Sequence, residues 1–217
     1  MFNKNSIMET LEHKIAAGLL DIKAVKLSPE NPFTWASGWR SPIYCDNRKG
    51  LSYPQLRNDI VEGMILKIKE KFDKVDLIAG VATGAIAYGV LVAEKLGLPF
   101  VYVRPKPKDH GMGNQVEGYL PDNANVVVIE DLISTGMSSL GAVDALTKAG
   151  AHVLGMVAIF SYNFPQSRRS FEYANVELHT LSDYDTLVDV ALATKYIEEK
   201  DVEMLREWRY SPETWGK

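Results

Sequence analysis

The pattern of hydrophobic and polar residues along the chain changes at Tyr53. Beyond this residue, short apolar runs rich in β-branched residues alternate with amphipathic stretches of ten or more residues. This alternation predicts an α/β fold in which an open, mostly parallel sheet is flanked by helices. The predicted strands cover 76–80, 99–103, 125–130, 152–160 and 176–181, and the predicted helices cover 54–72, 85–96 and 136–149, with further helices beyond the last strand.

The residues before Tyr53 do not show this alternation of strands and helices. Apolar residues at helical spacing cover 7–20, and the polar stretch 28–50 carries short aromatic pieces that are typical of a hairpin or of twisted strands. We therefore predict a small subdomain, residues 1–52, which we call the hood. It is expected to lie over the carboxyl edge of a core formed by residues 53–217, at the edge where open α/β sheets bind ligands.

The composition excludes several classes of function. The net charge of −4 provides no general basic surface for nucleic acid. The single cysteine, Cys45, cannot form an internal disulfide or a cysteine-rich metal site, and it fits a reducing compartment. The start of the chain lacks the apolar run of a secretory signal, and no stretch reaches the ~20 apolar residues of a membrane span. We therefore expect a cytoplasmic protein that does not bind a membrane.

The strongest local signal is the segment 126–139, which reads VVVIEDLISTGMSS. It predicts a buried strand that ends in the carboxylates of Glu130 and Asp131, followed by a turn that opens a helix. A helix N-terminus presents unpaired N–H groups to a phosphate, and two carboxylates suit the hydroxyl groups of a sugar. Helix capping behind a buried strand is the alternative interpretation. The hydroxyl groups expected to add donors belong to Ser134, Thr135, Ser138 and Ser139.

A second signal is the basic loop at 104–118, which follows a predicted strand. Its cations can stabilise the charge of a pyrophosphate leaving from a sugar, and Gly111 and Gly113 allow the loop to close and exclude water. A solvated surface loop is the alternative. The cations are Arg104, Lys106, Lys108 and His110.

Three segments resemble a known family. The segment 126–139 resembles the signature of type I phosphoribosyltransferases that binds phosphoribosyl pyrophosphate (PRPP). The spacing Arg-x-x-x-Lys-x-His-Gly at 104–111 resembles the catalytic loop of orotate phosphoribosyltransferases. Lys26 followed by FTWASGWRSP at 33–42 resembles the N-terminal part of the same family. The resemblance covers about two thirds of the chain, from residue 26 to residue 160.

The resemblance implies an enzyme that joins orotate to PRPP in pyrimidine (UMP) biosynthesis and releases pyrophosphate. It implies dependence on Mg²⁺ and a homodimer in which the loop at 104–118 enters the neighbouring site. Catalytic roles fall on Lys108, His110 and Asp131, and contacts to orotate on Ser134 and Lys26. PRPP contacts are implied for Arg104, Lys108, His110, Glu130, Asp131, Leu132, Ile133, Ser134, Thr135, Gly136, Met137 and Ser138.

The chain departs from the family pattern at three places. Pro105 stands where many members have lysine, and Lys106 is the candidate replacement. Thr83 stands where some members have lysine, in a turn at 80–85 that resembles the family's pyrophosphate loop. Some members bind the orotate carboxylate through an arginine after the strand that follows the PRPP signature. Here the segment 160–165 contains no arginine, so the carboxylate partner is left open.

Two other functions remain as alternatives. The first is a phosphoribosyltransferase for a purine base on the same scaffold, which the resemblance at 33–42 disfavours. The second is a PRPP-sensing regulator that binds nucleic acid and has lost the chemistry, which the net acidity and the intact Lys108-Asp109-His110 sequence disfavour.

Overall fold

The structure, a computed structural model, describes residues 10–106 and 115–216. The described part contains ten strands, seven α-helices and one 3-10 helix, numbered here in chain order. They are α1 (Leu11–Asp21), β1 (Val25–Leu27), β2 (Phe33–Thr34), β3 (Arg40–Ser41), β4 (Ile43–Cys45), the 3-10 helix (Asn47–Ser52), α2 (Pro54–Lys71), β5 (Leu77–Val81), α3 (Ile86–Leu96), β6 (Phe100–Val103), β7 (Val116–Glu117), β8 (Asn125–Ile133), α4 (Met137–Lys148), β9 (His152–Ser161), α5 (Pro165–Tyr173), β10 (Leu178–Asp183), α6 (Tyr184–Ala193) and α7 (Glu199–Tyr210).

A six-stranded sheet in the order β10-β9-β8-β5-β6-β7 forms the centre of the molecule. Every pairing in it is parallel except that of β6 with β7, which is antiparallel and forms one edge. Since β8 lies in the middle, its apolar residues are covered on both faces, which explains its uninterrupted run of β-branched side chains. The predicted fold class is confirmed.

The two faces of the sheet bury separate hydrophobic clusters. Successive side chains of β8 point to opposite faces. Val127 and Ile129 therefore join the cluster under α1, α2, α3, α6 and α7, whereas Val126 and Val128 join the one under α4 and α5. Helices thus cover both faces, as the strand-helix alternation predicted.

The described part of the hood contains helix α1, the 3-10 helix and two antiparallel strand pairs, β1 with β4 and β2 with β3. Its packing partner is the C-terminal helix α7, whose Trp208 is fully buried and donates a hydrogen bond from Nε1 to the carbonyl of Arg40 (3.1 Å). The first hydrophobic cluster therefore contains residues from both sides of residue 52. The division of the chain at that residue stays a prediction.

Candidate active site

The two carboxylates of the signature segment lie within strand β8. The sequence predicted that the strand ends at Glu130, but β8 continues to Ile133 because its last residues still pair with β9. That predicted boundary was wrong. Within a strand, neighbouring side chains leave on opposite faces, as those of Glu130 and Asp131 do here, but their two carboxylates still interact with each other.

The carboxylate of Glu130 points towards α4 and is almost fully buried. It accepts hydrogen bonds from the hydroxyl of Ser139 (2.8 Å) and from the main-chain N–H of Asp131 (2.9 Å). Burial, together with the charge of Asp131, raises the pKa of Glu130 to about 8. The expectation that the Ser139 hydroxyl faces a phosphate was wrong, since this hydroxyl is used inside the protein. A contact of Glu130 with ribose stays a prediction.

The carboxylate of Asp131 points to the other face and lies against the backbone of Gly84. A Cβ atom built on Gly84 would overlap this carboxylate, so a residue with a side chain cannot be accommodated there without a shift. Burial raises the pKa of Asp131, and the interaction with the carboxyl group of Glu130 and the nearby guanidinium of Arg48 oppose that change. The structure therefore brings the acid of β8 into contact with the turn at 80–85, as expected if both bind one ligand.

The main chain of Asp131 is held by a residue that the sequence did not single out. The side-chain Nδ2 of Asn47, which is buried, donates a hydrogen bond to the carbonyl oxygen of Asp131 (2.6 Å). The two residues are 84 positions apart. Neither hydrophobic periodicity nor a local motif signals such a contact.

The turn between β8 and α4 has the geometry of an anion cradle. Gly136 adopts a φ of 85°, in the left-handed region that favours glycine, and a Cβ atom there would lie 3.0 Å from the ring of Phe171. Because α4 begins behind a glycine, no capping side chain competes for its first N–H groups, and the first helical bond runs from Leu140 to Gly136 (2.9 Å). The first turn can thus bind a phosphate, while Ser134 and Thr135 are half-buried and Ser138 is exposed.

The turn at 80–85 connects β5 to α3 and lies beside Asp131 through Gly84. Its Ala82–Thr83 peptide bond is cis, and the side chain of Thr83 is exposed. The turn offers backbone groups and a hydroxyl to an anion, with no cationic side chain of its own.

Arg104 follows β6 at the same edge of the sheet. Its backbone pairs with Gln115, and its Nη1 lies 3.7 Å from a carboxylate oxygen of Glu117. This Nη1 is buried in an ion pair with Glu117 and makes no hydrogen bond with the described residues. Lys106 is exposed. Lys108 and His110 lie outside the described residues, and their roles stay predictions.

The aromatic residues of the hood serve packing. Trp35 and Trp39 stack on each other with ring centroids 6.3 Å apart, and Trp35 also meets the ring of Trp208 at 5.6 Å. The sequence alone allows these tryptophans either to pack in the core or to stack on a base, and the structure supports core packing. Lys26 is half-buried in β1 and lies opposite Tyr44, which is 41% exposed.

The segment after β9 contains no cation that faces the site. Asn163 occupies the left-handed region with a φ of 55°, and its side chain donates to Asp183 (2.9 Å). Its carbonyl accepts a hydrogen bond from Nη1 of Arg209 (3.3 Å). Arg168 and Arg169 lie exposed on α5, as the sequence indicated. The partner of a substrate carboxylate therefore stays open.

Comparisons with known proteins agree with this geometry. The model of the phosphoribosyl transferase domain family matches residues 52–192. A protein of Porphyromonas gingivalis named orotate phosphoribosyltransferase is 60% identical over 209 residues, covering 96% of this chain and 100% of its own. This chain belongs to the orotate phosphoribosyltransferase family. The family member of Enterococcus faecalis is 54% identical over 210 residues, covering 97% of this chain and 100% of its own.

The fold of the chain is also that of the orotate phosphoribosyltransferase family. The crystal structure of the Aeropyrum pernix member has a TM-score of 0.72 and 26% identity, and the match covers 81% of this chain and 96% of that one. A UMP synthase of Leishmania donovani has a TM-score of 0.77 at 22% identity, over 93% of this chain and 43% of that one, which shows a shared fold. In the described part of this family member, no helix has the length and apolarity to traverse a bilayer.

We expect the Glu130→Gln variant to lose a pH dependence of folding stability. The folded pKa of about 8 exceeds the value of about 4.3 in an unfolded chain, so between them the unfolded chain releases a proton that the folded chain keeps. The contribution of protonated Glu130 to the free energy of unfolding is therefore fully present below about pH 4 and is lost as the pH rises towards about 8. Urea unfolding of the wild type and the variant across this window measures the difference in the free energy of unfolding.

The matched control is Asp144→Asn on α4, where the aspartate side chain is 60% exposed and pairs with Lys148. This variant should change the free energy of unfolding by no more than about 0.5 kcal/mol at any pH. A constant difference between wild type and Glu130→Gln over the whole window would contradict the expectation.

Proposed function

We propose that the chain transfers the 5-phosphoribosyl group of PRPP to orotate, which gives orotidine 5′-monophosphate and pyrophosphate in UMP biosynthesis. The observation that carries this proposal is the arrangement of Asp131, the turn at 80–85 and the start of α4 around one end of β8. The chain's membership of the orotate phosphoribosyltransferase family supports orotate as the base.

Each part of the site has a separate task in binding PRPP. The N–H groups at the start of α4 bind the 5-phosphate, as helix N-termini bind anions in general. Asp131 accepts hydrogen bonds from the ribose hydroxyls. Glu130 precedes it in β8. The backbone of the turn at 80–85 and the guanidinium of Arg104 bind the pyrophosphate.

The chemical step moves one electron pair to the leaving group. The bond between C1 of the ribose and the pyrophosphate oxygen breaks, and its electron pair leaves with pyrophosphate. A ring nitrogen of orotate forms the new bond to C1, and the proton of that nitrogen is released. Since no covalent enzyme intermediate is needed, the protein contributes positioning and electrostatic stabilisation. Lys108 and His110 stabilise the leaving pyrophosphate.

We further propose that Mg²⁺ enters with PRPP. The described residues contain no group of three metal-ligating side chains, and Mg²⁺ commonly keeps several waters and binds through substrate phosphates. The residues present fit such an ion, because the half-buried carboxylate of Asp131 is a hard oxygen donor of the kind that Mg²⁺ prefers. When bound, the ion would supply positive charge to the pyrophosphate, and Asp131 would help to hold it.

The proposed assembly is a homodimer in the cytoplasm. The cations of the loop at 104–118 in an acidic chain support a role in completing a neighbour's site. The free thiol of Cys45, whose burial raises its pKa, suits a reducing compartment. A fully active enzyme that sediments as a monomer would contradict the dimer.

A panel of bases with PRPP and Mg²⁺ tests the proposed function. We expect turnover with orotate and none above background with adenine or hypoxanthine. Turnover with a purine base alone would assign the chain to the alternative substrate class. Binding of nucleic acid with a steep dependence on salt, without turnover of any base, would favour the regulator instead.

A further inference from the structure

We infer that Asn47 is a positioning residue that fixes Asp131 for binding of the ribose, an inference that rests on the proposed function. Asn47 lies at the start of the 3-10 helix, is 1% exposed, and belongs to the hood rather than to the signature segment. It does not reach the substrate in this role. It acts through the main chain of Asp131.

The side-chain amide of Asn47 has one orientation that satisfies its neighbours. The carbonyl of Asp131 can only accept a hydrogen bond, so the Nδ2 of Asn47 must face it, at 2.6 Å. The Oδ1 then faces the thiol of Cys45, which donates to it at 3.2 Å. Because the amide is buried and paired on both sides, it holds the Asp131 carbonyl in a defined place.

This hydrogen bond replaces a missing strand partner. The pairing of β8 with β5 ends at Ile129, opposite Gly80, whereas β8 itself continues to Ile133. On the β5 side, the last residues of β8 therefore have no strand partner for their main-chain hydrogen bonds. The side chain of Asn47 donates to the carbonyl of Asp131 instead. Without it, a buried carbonyl loses its donor and the end of the strand is free to move.

The contacts around Asp131 close into a ring. Its carboxylate lies against Gly84, and α3 begins two residues after that glycine. From α3, the fully buried Tyr88 donates a hydrogen bond from its hydroxyl to the carbonyl of Asn47 (3.1 Å). Asn47 in turn binds the carbonyl of Asp131. The hood thus connects the acid that faces the sugar to the turn that faces the pyrophosphate.

Steady-state kinetics of Asn47→Ala tests this role. We expect the KM for PRPP to rise by about tenfold or more and kcat to fall, because a small displacement of a positioned group is costly. The KM for orotate should change by less than about twofold. Cys45→Ala is the matched control, since it removes the contact to Oδ1 but keeps the Nδ2 donor, and it should retain the KM for PRPP.

The Asn47→Asp variant tests the role by the pH dependence of its activity, which a purely structural role would not change. A protonated carboxyl group can donate to the Asp131 carbonyl as the amide does, whereas the ionised form cannot. The activity of this variant relative to wild type should therefore rise as the pH falls, while the ratio for Asn47→Ala stays flat. If Asn47→Ala does not fold, the pH profile of Asn47→Asp and the Cys45→Ala control still decide the question.

The outcomes separate this inference from the proposed function. Wild-type KM and kcat in both Asn47 variants, or equal effects of the two at every pH, would overturn the positioning role while leaving the proposed function intact. If the wild type binds PRPP in calorimetry but does not turn over orotate, the function fails, and the affinities of the variants for PRPP test the positioning role alone. A wild type that does not bind PRPP would overturn both.

Discussion

Replacing Gly84 with alanine is expected to lower turnover by on the order of 100-fold or more, although this glycine contributes no side chain to the site. The added Cβ would overlap the carboxylate of Asp131, and the acid is confined by burial and by its bond to Asn47. Either the carboxylate or the turn at 80–85 must move, and both bind PRPP in the proposed function. The kcat and the KM for PRPP of the purified variant measure the effect.

The matched control is Gly141→Ala on the exposed side of α4. A Cβ atom there meets nothing within 4 Å, so activity should be unchanged. Stability should rise by about 0.5–1 kcal/mol, since glycine is unfavourable within a helix. If Gly84→Ala retained wild-type kinetics, the contact between the turn and Asp131 would have no role in catalysis.

Replacing Trp208 with alanine is expected to destabilise the protein by about 3–5 kcal/mol, the usual range for a fully buried aromatic residue. Its indole is 0% exposed, and its Nε1 donates to the carbonyl of Arg40. Unfolding in urea, followed by circular dichroism, measures the loss. The rings within 6 Å of it are those of Trp35, Tyr162, Phe164 and Tyr184.

Two further tryptophan variants separate packing from hydrogen bonding. Trp208→Phe keeps a ring but leaves the Arg40 carbonyl without its donor, which should cost about 1–3 kcal/mol. Trp215→Phe alters a half-buried ring and should cost less than about 1 kcal/mol. A loss below about 1 kcal/mol for Trp208→Ala would show that α7 contributes little to the core.

The sequence was sufficient for the fold, and it singled out the segment 126–139 as the centre of the candidate site. Alternating strands and helices fix the layers because each strand must bury both faces, and hydrophobic periodicity reports that burial. The segment 126–139 was recognisable because the groups proposed to bind a sugar and a phosphate follow one another in the chain. The end of the strand in this segment was not predicted correctly. Glu130 and Asp131 looked like the end of a strand, yet pairing with β9 extends β8 past them.

The remaining features depend on contacts between distant parts of the chain. The partner of the Ser139 hydroxyl is set by the packing of α4 on β8, and Asn47 meets Asp131 across 84 residues. Single-sequence patterns report which face a residue occupies but not which residue it meets there. The tryptophans illustrate the same limit, since a pattern cannot separate a lid over a base from a ring packed on Trp208.

The hydrogen bond between Trp208 and Arg40 joins residues 168 positions apart, which has a consequence for synthesis of the chain. A ribosome produces the hood before it produces helix α7, which covers it. A nascent or truncated chain that stops before Glu199 therefore leaves the rings of Trp35 and Phe164 uncovered and open to association with other chains. Synthesis of α7 is therefore expected to reduce the aggregation of a nascent chain.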